Sequence, residues 1–384
     1  MKILSRLIFF VIFIIVLVLV IFYARGYRPD FKNKSFVSTG IITASSYPKT
    51  AKIYLNGEFK GLTDINLTLK PGKYFVEIKK DGFTSWSKNI ILKGELVVSI
   101  DALLFPLNPS LSPLTNLGII RAIPLEDNNR ILVFSKTGIY IFESSKNVLS
   151  FFAPLKTIAK AELFPENTDW EKIEVFISPD LKQAIVGNYL LSLEEENQSL
   201  FDISASLSRE NLISAWEEKR KTNNLKILET YPKEFFKIAS DSFKIISFSP
   251  NDNKILYQSL KNIDLPTIIN PPLIGTNQTP ETRNLKKNHI YVYDKKEDKN
   301  YLISSQQSTS NQQISWYFDS KHLVINENKK IIVADYDYQN KQVVYSGPFE
   351  KDFFMPTLDG KIIILANLNP EANEYPDLYL VGIR

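Results

Sequence analysis

Few side chains in this sequence are suited to acid–base, nucleophilic or metal chemistry. The 384 residues include two histidines and no cysteine, which excludes thiolate nucleophiles, disulfides and thiolate metal sites. His289 follows two lysines and His322 follows a predicted turn, and neither has a second ligand at a metal-binding spacing. Both are predicted to be exposed or structural side chains.

The clusters of acidic residues are also predicted to have structural roles. Residues 335–340, DYDYQN, begin like a calcium loop, but the central glycine is missing and the twelfth position is Ser346, so a hairpin turn is predicted. Glu297 and Asp298 lie in a predicted turn, where charge is normally solvated. Phosphate-loop, dinucleotide and nucleophile-elbow motifs are absent from the sequence. We predict a non-catalytic protein without a metal or cofactor. A pair of carboxylates that hydrolyses glycosides is recognised by the distance between the two groups in three dimensions, which the sequence does not give. A hydrolase of this kind therefore stays open as an alternative.

An apolar segment near the N-terminus is the first element that positions the rest of the chain. Residues 7–23, LIFFVIFIIVLVLVIFY, contain no charge, glycine or proline, and as a helix they extend roughly 25 Å, enough to cross a bilayer. Leu7, Phe22 and Tyr23 mark its ends, with Tyr23 at the level of an interfacial aromatic belt. Residues 1–36 are therefore predicted to be an uncleaved signal-anchor with a basic linker. The alternative, a cleavable signal peptide, lacks a small-residue cleavage site here.

The charge distribution indicates a membrane partner rather than a nucleic acid. Residues 1–36 contain six basic residues and one acidic residue, whereas residues 107–384 contain 31 basic and 35 acidic residues. A nucleic-acid-binding face needs a concentrated basic surface, which the C-terminal part lacks. We predict a single-pass protein of the cell membrane whose helix contacts the lipid bilayer, with a cytoplasmic N-terminus and extracytoplasmic C-terminal domains.

Residues 37–106 have the pattern of a small antiparallel β-sandwich. Asn56-Gly57 between two short strands predicts a type I′ hairpin. Pro71-Gly72 predicts a type II turn. In the following strand Tyr74, Val76 and Ile78 alternate with charged residues, which places them on one buried face.

This segment resembles the PEGA domain, a family of small envelope-associated β-sandwiches. Two positions depart from the family pattern: residues 48–51 read PKTA instead of Pro-Glu-Gly-Ala, and Asp64 follows Thr63 where proline is usual. The resemblance implies an accessory module without catalytic residues. The matching residues are Pro48, Ala51, Asn56, Gly57, Gly61, Thr63, Pro71, Gly72, Tyr74, Gly82 and Phe83.

After a Pro- and Ser-rich linker, residues 107–117, a loose strand–turn–strand unit recurs through residues 118–384. Because one such unit cannot bury both of its faces, a β-propeller of five to seven blades is predicted, with an array of β-sandwiches as the alternative. The turns "ISPDLKQ" and "FSPNDNK" resemble those of TolB-like, WD-type blades, although only Gly360 retains the usual glycine. The copies are residues 122–144, 173–195, 245–259 with 289–305, 313–337, and 352–367 with 377–383.

Two insertions interrupt the repeats. A helical pattern covers about residues 208–240, and a proline-rich segment covers residues 263–288. We call residues 263–288 the long loop. Loops of this length are uncommon unless they are functional or disordered, so the long loop is predicted to bind a partner. Its candidate residues are Pro266, Pro271, Pro272, Pro280 and Arg283.

The sequence as a whole predicts a mainly β protein: a transmembrane helix, a small β-sandwich, and a β-propeller with a helical insertion. The predicted function is a membrane-anchored binding scaffold that displays the propeller to an envelope protein or polysaccharide. Two alternatives stay open: a propeller-type hydrolase acting on envelope glycans or peptides, and a structural envelope component that assembles laterally through its sandwich edges.

Overall fold

A computed structural model describes residues 2–24, 26–30, 35–144, 155–305, 313–350 and 352–384. The chain divides into two compact units. The first unit comprises Met1–Leu107 together with Pro271–Thr279, and the second comprises Asn108–Asn270 and Pro280–Arg384. The middle of the long loop therefore belongs to the first unit.

The first element is a single long helix, α1 (Lys2–Ala24). Its segment Arg6–Ala24 has a mean hydropathy of 3.5 and none of it is buried against the rest of the chain. The anchor residues Leu7, Phe22 and Tyr23 are 61%, 43% and 64% exposed. By length and composition α1 can cross a membrane. The flanking cations Arg25, Lys32 and Lys34 lie outside the described residues.

The rest of the first unit is a hairpin and a two-sheet sandwich. The strands are β1 (Tyr27–Asp30), β2 (Ser35–Ser38), β3 (Gly40–Tyr47), β4 (Lys52–Leu55), β5 (Glu58–Leu62), β6 (Ile65–Leu69), β7 (Gly72–Lys79), β8 (Trp86–Leu92) and β9 (Val97–Leu103). β1 pairs with β2, and the sandwich sheets have the orders β6-β3-β9 and β5-β4-β7-β8. The fully antiparallel prediction is wrong for β3 and β9, which are parallel. Parallel neighbours need a long crossover, and strands β4–β8 supply it.

The sandwich core follows from alternation along its strands. Ile53, Val76 and Ile78 are completely buried, and they share one cluster with Ile42 and Ile100 of the other sheet. The partly buried Tyr74 packs against the same cluster, which confirms the predicted inward face of β7.

One predicted turn type is confirmed and one is wrong. Asn56 and Gly57 have φ of 51° and 83°, the two positive values that a type I′ hairpin between β4 and β5 requires. A type II turn would need positive φ at Gly72, yet Gly72 is not among the residues with positive φ. Gly72 is instead the first residue of β7 and pairs with Leu92, so ladder pairing keeps it extended.

In the residues that the structure describes, the second unit contains five four-stranded antiparallel sheets and one two-stranded ribbon. The strand that comes first in sequence, β10 (Ser110–Pro113), belongs to the fifth sheet. The first sheet is β11 (Ile119–Pro124), β12 (Arg130–Ser135), β13 (Gly138–Glu143) and β14 (Lys156–Lys160), followed by a 3₁₀ turn at Ala161–Leu163; the second is β15 (Val175–Ile177), β16 (Gln183–Val186), β17 (Tyr189–Ser192) and β18 (Phe201–Asp202).

Two helices and a short ribbon accompany the third sheet. The helices are α2 (Ser206–Leu228) and α3 (Lys233–Ser242). The third sheet is β19 (Phe243–Phe248), β20 (Lys254–Ser259), β23 (Ile290–Asp294) and β24 (Lys299–Ser304), with the ribbon strands β21 (Ile263–Asp264) and β22 (Asn284–Leu285) between β20 and β23; the fourth is β25 (Ile314–Trp316), β26 (His322–Glu327), β27 (Lys330–Asp335) and β28 (Gln342–Tyr345). The fifth sheet is β29 (Phe354–Pro356), β30 (Ile362–Ala366) and β31 (Asp377–Gly382), completed by β10.

Contacts link the first sheet to the second, the third to the fourth, the fourth to the fifth, and the fifth to the first. Ser320 Oγ of the fourth sheet accepts a hydrogen bond from the backbone of Asn251 of the third at 3.1 Å, and the Tyr317 hydroxyl donates to Gly360 O beside the fifth sheet at 2.6 Å. The fifth and first sheets share a buried cluster that includes Val133 and Ile363. This order of four-stranded meanders is a β-propeller with five blades in the described residues.

The helical insertion lies where the second sheet is followed by the third. Trp216 of α2 packs with Ile185 of the second sheet. Phe235 of α3 stacks on Tyr293 of the third sheet with ring centroids 3.9 Å apart. The predicted insertion therefore occupies the surface between two blades.

The ring closes through residues from both ends of the second unit. β10 pairs with β31, so the predicted linker 107–117 contains the fourth strand of the fifth blade. Asp377 is 7% exposed, and its Oδ1 accepts hydrogen bonds from the Thr115 hydroxyl and the Leu117 N–H, each at 2.8 Å. The Thr115 hydroxyl oxygen accepts a bond from the Leu378 N–H at 3.0 Å. These bonds join the segment that follows β10 to the last strand, β31.

A recurring turn explains the degenerate blade motif. In each blade, the residue two positions before the second strand has a left-handed backbone conformation. These residues are Asn128, Leu181, Asp252, Ser320 and Gly360, with φ of 51°, 57°, 55°, 61° and 84°. Glycine adopts this conformation at the lowest steric cost, yet it occupies only the fifth turn. The turns hold the others by side-chain hydrogen bonds, such as Ser178 Oγ to Asp180 Oδ1 at 2.7 Å.

Candidate partner-binding segment

The long loop begins and ends on a two-stranded ribbon packed into the third blade. β21 pairs with β22, with Ile263 opposite Leu285. Leu265 and Leu285 are 2% and 0% exposed and belong to the core cluster of this blade. Both ends of the loop are therefore fixed by apolar burial.

A buried carboxylate holds the next part of the loop. Asp298, at the turn between β23 and β24, is 3% exposed. Its Oδ2 accepts hydrogen bonds from the N–H groups of Ile268 and Ile269 at 2.7 and 2.9 Å. Its Oδ1 accepts bonds from the Tyr293 hydroxyl at 3.0 Å and from Arg283 Nη1 at 3.3 Å. One carboxylate thus binds the outgoing backbone and the returning side chain.

The Arg283 guanidinium is bound inside the chain. Besides Asp298 Oδ1, it donates to the carbonyl oxygens of Pro266, at 2.6 Å, and of Asp298. Arg283 Nε lies 3.0 Å from Glu281 Oε2. Burial raises the pKa of Tyr293, and the Asp298 charge raises it further, so that this phenol stays protonated as a donor. Two predicted binding residues, Pro266 and Arg283, therefore have contacts that shape the loop.

A second buried polar group holds the returning strand of the loop. Asn300 is completely buried. Its amide donates to Thr282 O and its backbone oxygen accepts from the Thr282 N–H, both at 2.7 Å. The Tyr257 hydroxyl donates to Asn300 Oδ1 at 2.8 Å. A satisfied buried network of this kind fixes one backbone path.

The middle of the loop belongs to the first unit and exposes apolar side chains. Gln278 and Asn277 make hydrogen bonds to strand β8 of the sandwich. Ahead of them, Leu273 and Ile274 are 47% and 74% exposed. Pro271, Pro272 and Pro280 are also exposed. We call residues 271–274 the loop tip.

The prediction that the Glu297-Asp298 turn is solvated is wrong for Asp298. Its sequence context, KKEDKN, has the composition of an exposed hairpin. The bonds to Asp298 come from residues 5 to 30 positions away, and no local pattern shows them. The only signal of a buried polar anchor in the sequence is the proline-rich insertion itself, because an insertion of this length must be held in place.

The two histidines have structural surroundings. His289 Nδ1 lies 3.1 Å from Lys287 O. His322 is 5% exposed, with Nδ1 2.6 Å from Asp319 Oδ2 and Nε2 3.3 Å from Asp335 Oδ1. Burial alone would lower the pKa of His322, but hydrogen bonds to Asp319 and Asp335 raise it to about 9. At neutral pH this histidine is a buried imidazolium between two carboxylates.

In the part of the chain that the structure describes, no cluster of three or more His, Asp or Glu side chains could hold a metal ion. A cavity of about 320 Å³ lies between α2, α3 and β19. Its floor is apolar, with Leu228 and Phe243, and its rim includes Glu217, Arg220 and Lys221.

The sandwich of the first unit is the part of the chain that a known family model matches. The family model described as "PEGA domain" matches residues 39–108, which cover β3 to β9 and their turns. Residues 39–108 therefore resemble the PEGA family, and we call them the PEGA domain. The resemblance inferred from the turn residues is thereby confirmed.

The motif residues of the PEGA domain have structural contacts. Thr63 is 3% exposed; its hydroxyl oxygen accepts a bond from the Ala51 N–H at 3.0 Å and lies 2.5 Å from Ser46 Oγ. Gly61 has φ of 147°, and a Cβ there would lie 2.8 Å from Ile65 Cδ1. Phe83 forms a bridge with Pro106 at the end of the domain.

Among the solved structures that are similar to part of this chain are those of three proteins. A putative TolB from Agrobacterium tumefaciens is 11% identical, with a TM-score of 0.22 over 67% of this chain and 70% of its own. The AfRom2 CNH domain is 9% identical, with a TM-score of 0.28 over 71% and 98%. The tricorn protease is 13% identical, with a TM-score of 0.22 over 84% of this chain but 26% of its own. These values are too low for a function to be transferred. No curated protein matches the chain.

Proposed function

We propose that this chain is a non-catalytic, membrane-anchored binding scaffold of the cell envelope. In this proposal α1 crosses the cell membrane with its N-terminus in the cytoplasm, and the PEGA domain and the propeller lie outside. The observation that carries the proposal is the succession along the chain of one exposed apolar helix, a PEGA domain and a propeller whose first and last strands pair.

The distribution of polar groups in the propeller supports a binding role. Asp298, His322 and Asp377 are all buried, and each makes internal hydrogen bonds that hold a loop, a blade turn or the ring closure. A propeller of this kind is a rigid support, and the loops on such a support can vary in sequence without changes to the core.

The loop tip supports an envelope protein rather than a polysaccharide as the partner. Leu273 and Ile274 are the large exposed apolar side chains of the long loop, and two prolines precede them. Because proline restricts the backbone and the flanking segments are held by hydrogen bonds, little conformational entropy is lost on binding. Exposed apolar anchors of this type contribute most where they enter a pocket on another protein.

Membrane orientation can be tested with single cysteines, because the natural chain has none. We expect Ser208→Cys, an exposed position in α2, to react with a membrane-impermeant maleimide in right-side-out membrane vesicles. Ser5→Cys, which precedes the apolar span, should react only after the vesicles are permeabilised. Protection of Ser208→Cys with labelling of Ser5→Cys would show the opposite orientation and contradict export.

Partner binding through the loop tip can be tested by substitution. In a pull-down from envelope extracts with the detergent-solubilised full chain, Leu273→Ser/Ile274→Ser should reduce recovery of the bound protein at least tenfold, since loss of one buried apolar anchor is worth about 1.4 kcal/mol or more. The matched control is Leu207→Ser, which changes a leucine that is 75% exposed elsewhere. Equal recovery by the tip variant and the control would exclude the tip as the binding segment.

A further inference from the structure

One edge of the PEGA domain offers backbone hydrogen-bonding groups along an outer strand. β8 is the last strand in the order β5-β4-β7-β8, and its inner side pairs with β7 over seven residues, from Leu92 opposite Gly72 to Trp86 opposite Ile78. In an antiparallel pair, alternate residues direct their N–H and C=O groups away from the partner strand.

The long loop identifies which residues of β8 face outward. Gln278 Oε1 accepts a hydrogen bond from the Ile91 N–H at 2.6 Å, and Gln278 Nε2 donates to Ile91 O at 2.9 Å. Since the pattern has a period of two, Asn89 and Ser87 direct their backbone groups to the same side as Ile91. A single carboxamide thus makes at Ile91 the pair of bonds that a residue of a neighbouring strand would make.

A neighbouring contact supports this arrangement. Lys88 Nζ donates to Asn277 Oδ1 at 2.9 Å, and the same oxygen accepts from the Thr279 N–H at 3.1 Å. All of these residues belong to the first unit. Residues 277–279 therefore cap part of the β8 edge with side chains instead of a strand.

The sequence of β8 would let its edge pair with another strand if the edge were uncovered. The strand reads WSKNIIL and has a single charge. An edge strand with high β propensity and few charges readily pairs with another chain, and natural proteins cover or charge such edges. Here the cover is a loop inserted from a distant part of the sequence.

Two copies of β8 can also pair with each other without opposing like charges. When two copies of β8 are placed antiparallel about Asn89, Ser87 faces Ile91 and Lys88 faces Ile90, so that no like charges are opposed. Because this arrangement is two-fold symmetric, both copies use the same surface. Two four-stranded sheets joined in this way form one continuous eight-stranded sheet.

We propose that the β8 edge of the PEGA domain is a self-association site for a second copy of this chain, and that Gln278 of the long loop keeps it closed. Release of the carboxamide from Ile91 exposes the edge, and two copies then join through β8. The proposal concerns assembly, and it holds or fails independently of the partner proposed for the loop tip.

The test is the mass of the full chain in detergent, measured by light scattering after gel filtration. The wild type and Thr276→Ala, a matched change in the same segment that keeps the carboxamide, should both contain one chain. Gln278→Ala, which removes both bonds to Ile91, should contain two chains. A Gln278→Ala variant that stays at one chain, or a wild type already at two chains, would overturn the proposal.

A second substitution identifies the interface. Gln278→Ala/Asn89→Pro removes an outward N–H of β8 and blocks strand addition, so that the mass should return to one chain. If circular dichroism shows that the proline variant is unfolded, Gln278→Ala/Asn89→Lys serves instead, because it opposes two lysines across the two-fold axis. Two chains in the folded double variant would mean that another surface associates, and the β8 proposal would be wrong.

Discussion

Replacing Asp298 by alanine should lower the free energy of unfolding of the propeller by about 3–5 kcal/mol, the usual cost of removing one partner from a buried charged pair. The substitution leaves the Ile268 and Ile269 N–H groups and the Tyr293 hydroxyl without their acceptor. It also removes the carboxylate that faces the Arg283 guanidinium, which keeps its bonds to backbone oxygens. We expect hydrogen exchange in residues 266–270 to accelerate before the rest of the propeller unfolds. Chemical denaturation and hydrogen-exchange mass spectrometry of the full chain measure the two effects.

Asp298→Asn is the matched control for this prediction. It keeps the size of the side chain and one acceptor oxygen but removes the charge, so the expected loss is smaller, about 1–2 kcal/mol. If Asp298→Ala changes neither stability nor exchange at residues 266–270, the carboxylate is not what holds the long loop. In that case the apolar ribbon at Leu265 and Leu285 must be sufficient.

Raising the pH should destabilise the propeller through His322. The pKa of His322 is about 9 in the folded chain, against an ordinary value of 6.5, so the folded state binds this proton more tightly than the unfolded state. The resulting stabilisation, on the order of 3 kcal/mol, is complete below pH 6.5 and is lost as the pH rises through about 9. Denaturation midpoints measured from about pH 6 to pH 10 test this expectation.

His322→Gln separates this effect from other titrations. Glutamine can donate to one of the two carboxylates, Asp319 or Asp335, but it has no charge, so the variant should be less stable at neutral pH and should lose the steep part of the pH dependence. The two curves should converge near the alkaline limit. Parallel curves for wild type and variant would show that His322 is not the titrating group.

The sequence by itself determined the order and kind of the building blocks. The apolar run of α1 needs no tertiary context to be recognised, because length and hydropathy alone fit a bilayer. The hairpin at Asn56-Gly57 is equally local, since few residue pairs accept two positive φ angles. The spaced turns of the PEGA domain and the alternating repeats of the propeller belong to the same class of signal.

Other features of the fold were missed because their signals are weak or distant in sequence. The predicted repeats contain the first three strands of each blade, whereas most fourth strands lie outside them. β18 has two residues and β10 lies in a segment that reads as a linker, and both form because the neighbouring strand already offers an edge to pair with. Gly72 shows the same limit, since its pairing with Leu92 overrides the turn that Pro71-Gly72 favours.

For the candidate binding segment, the sequence identified the long loop, and only the tertiary structure divided it by role. Pro266 and Arg283 are contacts within the chain, Leu273 and Ile274 are exposed, and Gln278 covers the edge of β8. Composition shows that a loop is long and rich in proline, but it does not show which polar groups it meets. Those partners, Asp298, Asn300 and the backbone of Ile91, are brought to the loop by strand pairing, and a buried or edge-exposed hydrogen bond must be satisfied wherever folding places it.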